Sequence, residues 1–441
     1  MTFLTACSCR RKRKHSMASA LTQAQLEDIT ASPYKKDFPL LAQHPNITFL
    51  DSAATSQRPA AVLDAERRFY ETMNANPLRG LYKLSVEATQ AIDDARRHIA
   101  RFIGALDAEG KPQSSSIVFT RNASESLNLL AHTLPQVAGL GPGDEVVISI
   151  MEHHSNLIPW QQVCRATGAK LVFLRLDDDY RIPASELEQK ITERTKIVSV
   201  THVSNVLGVE NDIPAIAARA HKVGAYLIAD GAQSVPHVQV DVRQLGCDFM
   251  AFSAHKLGGP MGSGVLWGKP ELLDALPPFL TGGEMIDSVT EEDAVWAPVP
   301  QKFEAGTQDA AGSYAFDADL TYLESLGMAN IEARERELAI YLTEQLAALD
   351  FVTVIGPTDG RRHVGAVSFD VHGIHPHDVA SILDMGDVCI RAGHHCAQPL
   401  LTYLGYHSTC RASIAFYNDK ADIDNLVTGL GQVWSIFNGR N

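Results

Sequence analysis

Long apolar runs are missing from this chain of 441 residues. Nowhere do 18 apolar residues follow one another, which argues against a membrane-spanning helix. A surplus of positive charge is also missing: 38 Lys and Arg face 52 Asp and Glu, a formal charge of −14. Nucleic acid is a poor partner for such a surface, because phosphate binding rewards a basic one. Cysteine is scarce and irregular, with seven residues at 7, 9, 164, 247, 389, 396 and 410. An odd count without a CxxC pair disfavours a disulfide framework and a structural zinc site, and points to a reducing, cytoplasmic compartment. There is no internal repeat and no low-complexity tract.

What is present is ordinary for a globular protein, 45% hydrophobic and 20% charged. The exception is the start, MTFLTACSCRRKRKHS, where residues 1–16 hold five basic residues and no acid. An organelle transit segment, a short basic nuclear-type run and an upstream start before Met17 compete here; we read Met17 as the start. From about residue 45, short β-branched runs alternate with amphipathic stretches. ITFL (47–50), SIVFT (116–120), EVVISI (145–150), KLVFLRL (170–176), KIVSVTHV (196–203), AYLIAD (225–230) and DFMAFS (248–253) read as strands. Apolar strands separated by helices imply a parallel sheet buried on both faces. The rhythm breaks around 270–310, then resumes as a long helical pattern (313–349), a strand FVTVI (351–355) and further elements. The expected fold is α/β: a large domain over 17–300 with a mainly parallel central sheet, and a smaller α+β domain over 301–441.

Ligands of open parallel sheets gather at the carboxyl ends of strands, so the polar residues there carry the question. AYLIADGAQS ends on Asp230, and DFMAFSAHKLGG places His255 and Lys256 just after another strand. Alone, the acid reads as a turn or cap and the lysine as a surface residue. One strand-to-strand step apart, they can face one crevice. Pyridoxal phosphate chemistry needs such a pair, a lysine for the cofactor's aldehyde and a carboxylate for its pyridine nitrogen. A phosphate cradle is available where SIVFT-RNAS-ESLNLL runs strand, turn, helix, with Asn122, Ala123 and Ser124 offering backbone N–H groups. Ser124 is equally an N-cap candidate. Ser253 and His255 can add a hydroxyl and an imidazole. His153 of MEHHSNLIPW can stack on a cofactor ring or cap a helix, and Asn205 of THVSNVLG suits a carboxylate or phenolic oxygen. Arg411, inside the apolar CRASIAFYN, needs a negative partner: a substrate carboxylate or a structural salt bridge.

Eight separated motifs carry a resemblance: FLDSAATSQRP, ISIMEHHSNLIPWQ, THVSNVLG, DGAQS, FSAHKLGGPMG, FEAGT, RAGHHCAQP and CRAS. From Met17 onward the chain resembles the SUF-type, SufS-like cysteine desulfurases, fold type I pyridoxal 5'-phosphate enzymes of the class V aminotransferase group. The resemblance implies Lys256 as the cofactor-bearing lysine, Asp230 as pyridinium partner, Gln233 as donor to the phenolic oxygen and His153 as the stacked ring. Ser124, Ser253 and His255 would hold the phosphate, and Thr307 of FEAGT would reach the neighbouring subunit's phosphate in a homodimer. Asn205 and Arg411 would bind the carboxylate of L-cysteine, or of L-selenocysteine, and Cys396 would accept sulfur as a persulfide. The product sulfur would pass to an acceptor protein of SufU or SufE type for iron–sulfur cluster assembly. Asn122-Ala123-Ser124 departs from the family's frequent Gly-Thr-Thr, SAHK from SGHK, and Leu78 and Tyr82 stand beside Arg79 where histidines are common.

Taken alone, RAGHHCAQP leaves Cys396 open as metal ligand, redox thiol, nucleophile or buried cysteine. Arg391, His394 and His395 are candidates for favouring its thiolate, and Gly393 and Pro399 suggest a short, bounded loop. In VHGIHPHDV, His372, His375 and His377 are close enough to raise metal binding, against solvated loop histidines; His375 or His377 could meet a zinc-bearing acceptor. Rivals are a selenocysteine lyase, another class V lyase, and a non-catalytic metal protein built on His153–His154, His394–His395 and Cys396. The last is weakened because adjacent side chains of an extended segment point to opposite faces.

Overall fold

The computed structural model describes residues 28–439. The readings of residues 1–16 and of Met17 lie outside the described residues. Seven strands form the large sheet: β1 (Ile117–Thr120), β2 (Glu145–Ser149), β3 (Lys170–Leu174), β4 (Thr195–Thr201), β5 (Tyr226–Asp230), β6 (Phe249–Ser253) and β7 (Gly264–Gly268), in the order β1-β7-β6-β5-β4-β2-β3. All pairings among β2 to β6 are parallel, and β7 runs antiparallel between β6 and β1. The sequence pattern did not single out β7, whose GVLWG is short and flanked by glycines. Gly264 is required where it stands, because a Cβ there would lie 2.4 Å from the Asn122 backbone.

Alternation along the strands divides the sheet's two faces. Val147, Val198, Leu227 and Met250 share one core with Ile92, Ile216 and Phe316 from covering helices. Their neighbours Val146, Ile148, Ile197 and Ile228 share another with Leu127, Leu130 and Trp160. Burial on both faces explains why these strands read as continuous apolar runs.

The helical pattern at 313–349 is two helices, Ala310–Leu326 and Met328–Ala347, parted by Gly327 at φ +85°. The first packs on helices Ala60–Thr72 and Lys83–Phe102 of the large core; the second belongs to a smaller core. There, β8 (Val352–Ile355), β9 (Ala366–Val371), β10 (Arg391–Gly393) and β11 (Thr409–Ser413) form an antiparallel sheet in the order β8-β9-β11-β10. Helices Pro376–Asp384 and Lys420–Asn438 cover it.

The segment around FLDSAAT joins the two halves. Thr48–Phe49 pairs with Val388–Cys389, Leu50 is buried in the small core, and Asp51 bridges to Ser413. Beneath the Cys396 loop, Ala397, Leu400 and Leu401 pack on Ile150, Met151, Val206 and Leu207. Two apolar seams therefore hold the small sheet over the carboxyl ends of the large one.

Candidate active site

A cavity of about 350 Å³ opens between those seams. Ser124, His153, Asn205, Asp230, Gln233, Ser253, His255, Lys256, Cys396 and Arg411 all line it. Thr307 does not; it is exposed and lines a separate hollow with Arg121 and Ser263.

The floor is made by strand ends. Asp230 closes β5, is buried, and accepts a 3.0 Å bond from Ala232 N–H. Burial raises its carboxyl above the usual range, while that bond and the charge of Lys256 pull the other way. Lys256 follows β6 in the short helix Ala254–Leu257. Desolvation brings its amine down to about 8; Asp230 opposes the shift, and Arg411 adds to it. At one side, helix Ala123–Val137 begins on the cavity wall. Its N-cap is Asn122, which accepts from Glu125 N–H at 3.0 Å, and not Ser124, whose Oγ lies 2.5 Å from Ser155 Oγ. Ser253 Oγ accepts from Ala123 N–H at 2.8 Å, and His255 Nδ1 sits 3.2 Å from Thr55 Oγ1.

His153 caps a turn and lines the cavity. Its Nδ1 accepts from Ser155 N–H at 3.1 Å, capping the turn His154–Asn156, while the ring faces the cavity. Desolvation, then the charge of Lys256, lowers its pKa to about 3, so the ring is neutral. Glu152, which the sequence did not mark, clamps this turn. It accepts from Thr201 N–H (3.0 Å) and Asn156 Nδ2 (2.5 Å) and contacts Ser149, tying the end of β2 to β4. Burial pushes it up to about 8.

The roof belongs to the small sheet. Arg411 is buried on β11, donates to Asn205 O at 3.0 Å and lies 3.3 Å from Asp51. Asp51 also binds Arg391 at 2.7 Å. Arg411 thus has the structural partner its bland reading required, yet its buried Nε has no partner. Burial lowers its pKa to about 10, which leaves it cationic at neutral pH. Asn205 spends its amide on His395 O at 2.7 Å, and Gln233 donates to Ala53 O at 2.8 Å. Asp51 was invisible in sequence because its partner is 360 positions away.

Cys396 is exposed, on the loop 394–397 between β10 and helix Gln398–Tyr403. His395 and Cys396 both have left-handed backbones, φ +51° and +55°, an uncommon pair for non-glycine residues. His395 is buried against Thr409 Oγ1 at 2.8 Å, and desolvation lowers its pKa to about 3. A neutral His395 supplies no positive charge to the thiol; the cations facing Cys396 are Lys256, Arg391 and Arg411.

Residues 48–426 match the aminotransferase class-V family. The chain belongs to that family. It is 47% identical over 412 residues to a "Probable cysteine desulfurase" of Halalkalibacterium halodurans, covering 93% of this chain and 99% of the relative. An apo cysteine desulfurase of Thermococcus onnurineus NA1 superposes with a TM-score of 0.86 at 38% identity, covering 93% of this chain and 100% of that one. An S-sulfonic acid form of the cysteine desulfurase CsdA from Escherichia coli gives 0.84 at 35%, covering 95% and 99%.

The cavity suits pyridoxal phosphate on its own terms. An amine, a buried acid, a neutral ring and a helix start with hydroxyls surround a space walled by small residues such as Ala53, Ala54 and Ala232. Arg411, cationic and on the cavity wall, is a suitable partner for a carboxylate.

Proposed function

We infer that this protein is a pyridoxal-phosphate-dependent cysteine desulfurase that moves the sulfur of L-cysteine onto Cys396 and releases L-alanine. The observation that carries this reading is that Lys256 and Cys396, 140 positions apart in the chain, line one cavity with no packed core between them. Bound there, pyridoxal phosphate would supply an aldehyde for the substrate's amine and a ring able to accept the charge left when Cα loses a proton.

The chain's own groups do the rest. Asp230 would keep a proton on the cofactor's ring nitrogen, and Gln233 would donate to its phenolic oxygen. Ser124, Ser253 and His255 would hold the phosphate at the helix start, where backbone N–H groups favour an anion. His153, neutral, would lie against the ring face. Arg411 receives the substrate carboxylate beside Asn205. With a pKa near 8, the Lys256 amine exists in both protonation states around neutrality, so it can take a proton from Cα and return one nearby. Cys396 Sγ attacks the substrate sulfur as thiolate; an S–S bond forms, the Cβ–S bond breaks, and protons complete alanine. A lyase releasing selenium directly needs no thiol on the cavity wall, which favours the desulfurase.

A homodimer is the working assembly in this reading. Leu81 is 99% exposed, and Tyr70, Tyr82 and Val86 are each more than half exposed, an apolar surface suited to a partner copy. Thr307 would act across that interface. The sulfur acceptor is a SufU- or SufE-type protein supplying iron–sulfur cluster assembly. It docks near His375, which caps helix Pro376–Asp384, the helix packed on β10 just before the Cys396 loop. The scarce, irregular cysteines suit a reducing, cytoplasmic compartment in this reading. Among the described residues, no helix is long and apolar enough to cross a membrane.

Incubating the loaded protein with L-cysteine and a reductant, then assaying alanine and sulfide, tests the activity. Equal amounts of both are expected; neither product, even with an acceptor present, overturns it. Replacing His375 and His377 by alanine should reduce acceptor-stimulated turnover alone, and unchanged stimulation would remove the docking site.

A further inference from the structure

The two histidine pairs do not act as pairs. His153 and His395 both line the cavity, His395 buried against Thr409, while His154 and His394 meet outside, ring centroids 5.4 Å apart. The left-handed backbone at 395 and 396 brings His394 and Cys396 to the same side of their loop. Among the described residues, His154, His394 and Cys396 are the one such trio, with a ligand atom from each lying within 4.8 Å of the others.

We propose that His154, His394 and Cys396 form a binding site for a zinc-class divalent cation at the mouth of the cavity. Two imidazoles and a thiolate are the donor set such ions favour, and three protein ligands leave a fourth position for water. The lone pairs are aimed at the loop. His154 Nε2 accepts from Gln398 N–H and His394 Nδ1 from Cys396 N–H, both at 3.2 Å. These are long bonds, which a cation at about 2.0 Å from each nitrogen would displace. His154 is itself pinned to the loop, its N–H donating to Cys396 O at 2.6 Å. Tetrahedral N and S donors lie about 3.3–3.6 Å apart. Closing from 4.8 Å takes roughly one ångström, within the freedom of two exposed side chains, His394 and Cys396.

Binding exchanges the thiol proton for the metal, with no change of oxidation state. It occupies the sulfur lone pair that would attack substrate, so the site acts as a reversible brake on sulfur transfer. The brake rests on the role given to Cys396 above; the binding does not.

The test uses the cofactor-loaded protein and Zn²⁺ in cysteine-free buffer, with titration calorimetry and X-ray absorption at the zinc edge. One zinc per chain is expected, with one sulfur at about 2.3 Å and two nitrogens at about 2.0 Å. His154→Ala and His394→Ala should each weaken binding at least tenfold, Cys396→Ala should remove the sulfur signal, and His375→Ala should change nothing. Zinc binding without a sulfur ligand, or indifferent to both histidines, overturns the site. So does the absence of binding in protein that retains its yellow cofactor colour. Zinc bound as described in a protein that makes no alanine even when zinc-free would sink the desulfurase reading alone, and alanine made by a protein that binds no zinc would sink the metal site alone.

Discussion

The floor and the rim of the cavity are built on opposite plans. On the floor, Asp230 and Lys256 stand at the ends of strands locked into a sheet with apolar packing on both faces. Their environment is poor in water, so burial moves both of their pKa values. On the rim, Cys396 is exposed on a four-residue loop in left-handed backbone, held through its own carbonyl by His154 N–H and through His395 O by Asn205, with its thiol left free of the core. A cofactor's electronics need fixed charges in a low dielectric. A sulfur that must be collected inside and surrendered outside needs a thiol at the boundary.

Breaking the floor should cost most. Lys256→Ala removes both the cofactor's anchor and the proton carrier, and should cut turnover at least ~10⁴-fold and abolish the yellow colour. Breaking the rim should separate the two functions: Cys396→Ala should lose ~10³-fold in sulfur transfer while keeping the colour. Pale protein in that variant would show that the rim supports the floor. The lowered pKa of Lys256 sharpens the comparison. The free amine is the form that attacks an aldehyde, so cofactor uptake by the apo-protein should rise with pH and level off near 8 instead of 10.5. At pH 7 that amounts to a free-amine fraction ~300-fold above an ordinary lysine's. Stopped-flow absorbance from pH 6 to 10 reads the midpoint. Asp51→Asn loosens Arg391 and Arg411 together and should raise KM for L-cysteine ~10-fold with little change in kcat. Asn122→Ala deletes the cap of the phosphate-side helix, expected to cost about 1 kcal/mol in denaturant unfolding.

The floor was legible in sequence because it is local: apolar runs announce the strands, and a polar residue at each end stands out. AYLIAD with Asp230 and DFMAFS with Lys256 could be paired from their spacing alone. The roof was less legible. Arg411 showed as a charge in an apolar strand, but Asp51 gave no such signal, since its meaning comes from a strand bridge across most of the chain. The sequence also placed the helix start by its serine, whereas the extended backbone at Asn122, φ −177°, makes that residue the cap. Adjacent histidines were correctly expected to diverge, but only the folded chain pairs one from each doublet, across the 240 positions that separate His154 from His394. Antiparallel β7 escaped because five residues rich in glycine carry too little pattern.

The central claim is that the sulfur lost from L-cysteine rests on the rim thiol. Mass spectrometry of the peptide carrying Cys396, after one exposure to L-cysteine without reductant, reads this directly. The account predicts one extra sulfur atom on that peptide for each alanine released in the first turnover. Alanine formed with Cys396 unmodified, or with the sulfur on Cys164, Cys247, Cys389 or Cys410, would contradict it.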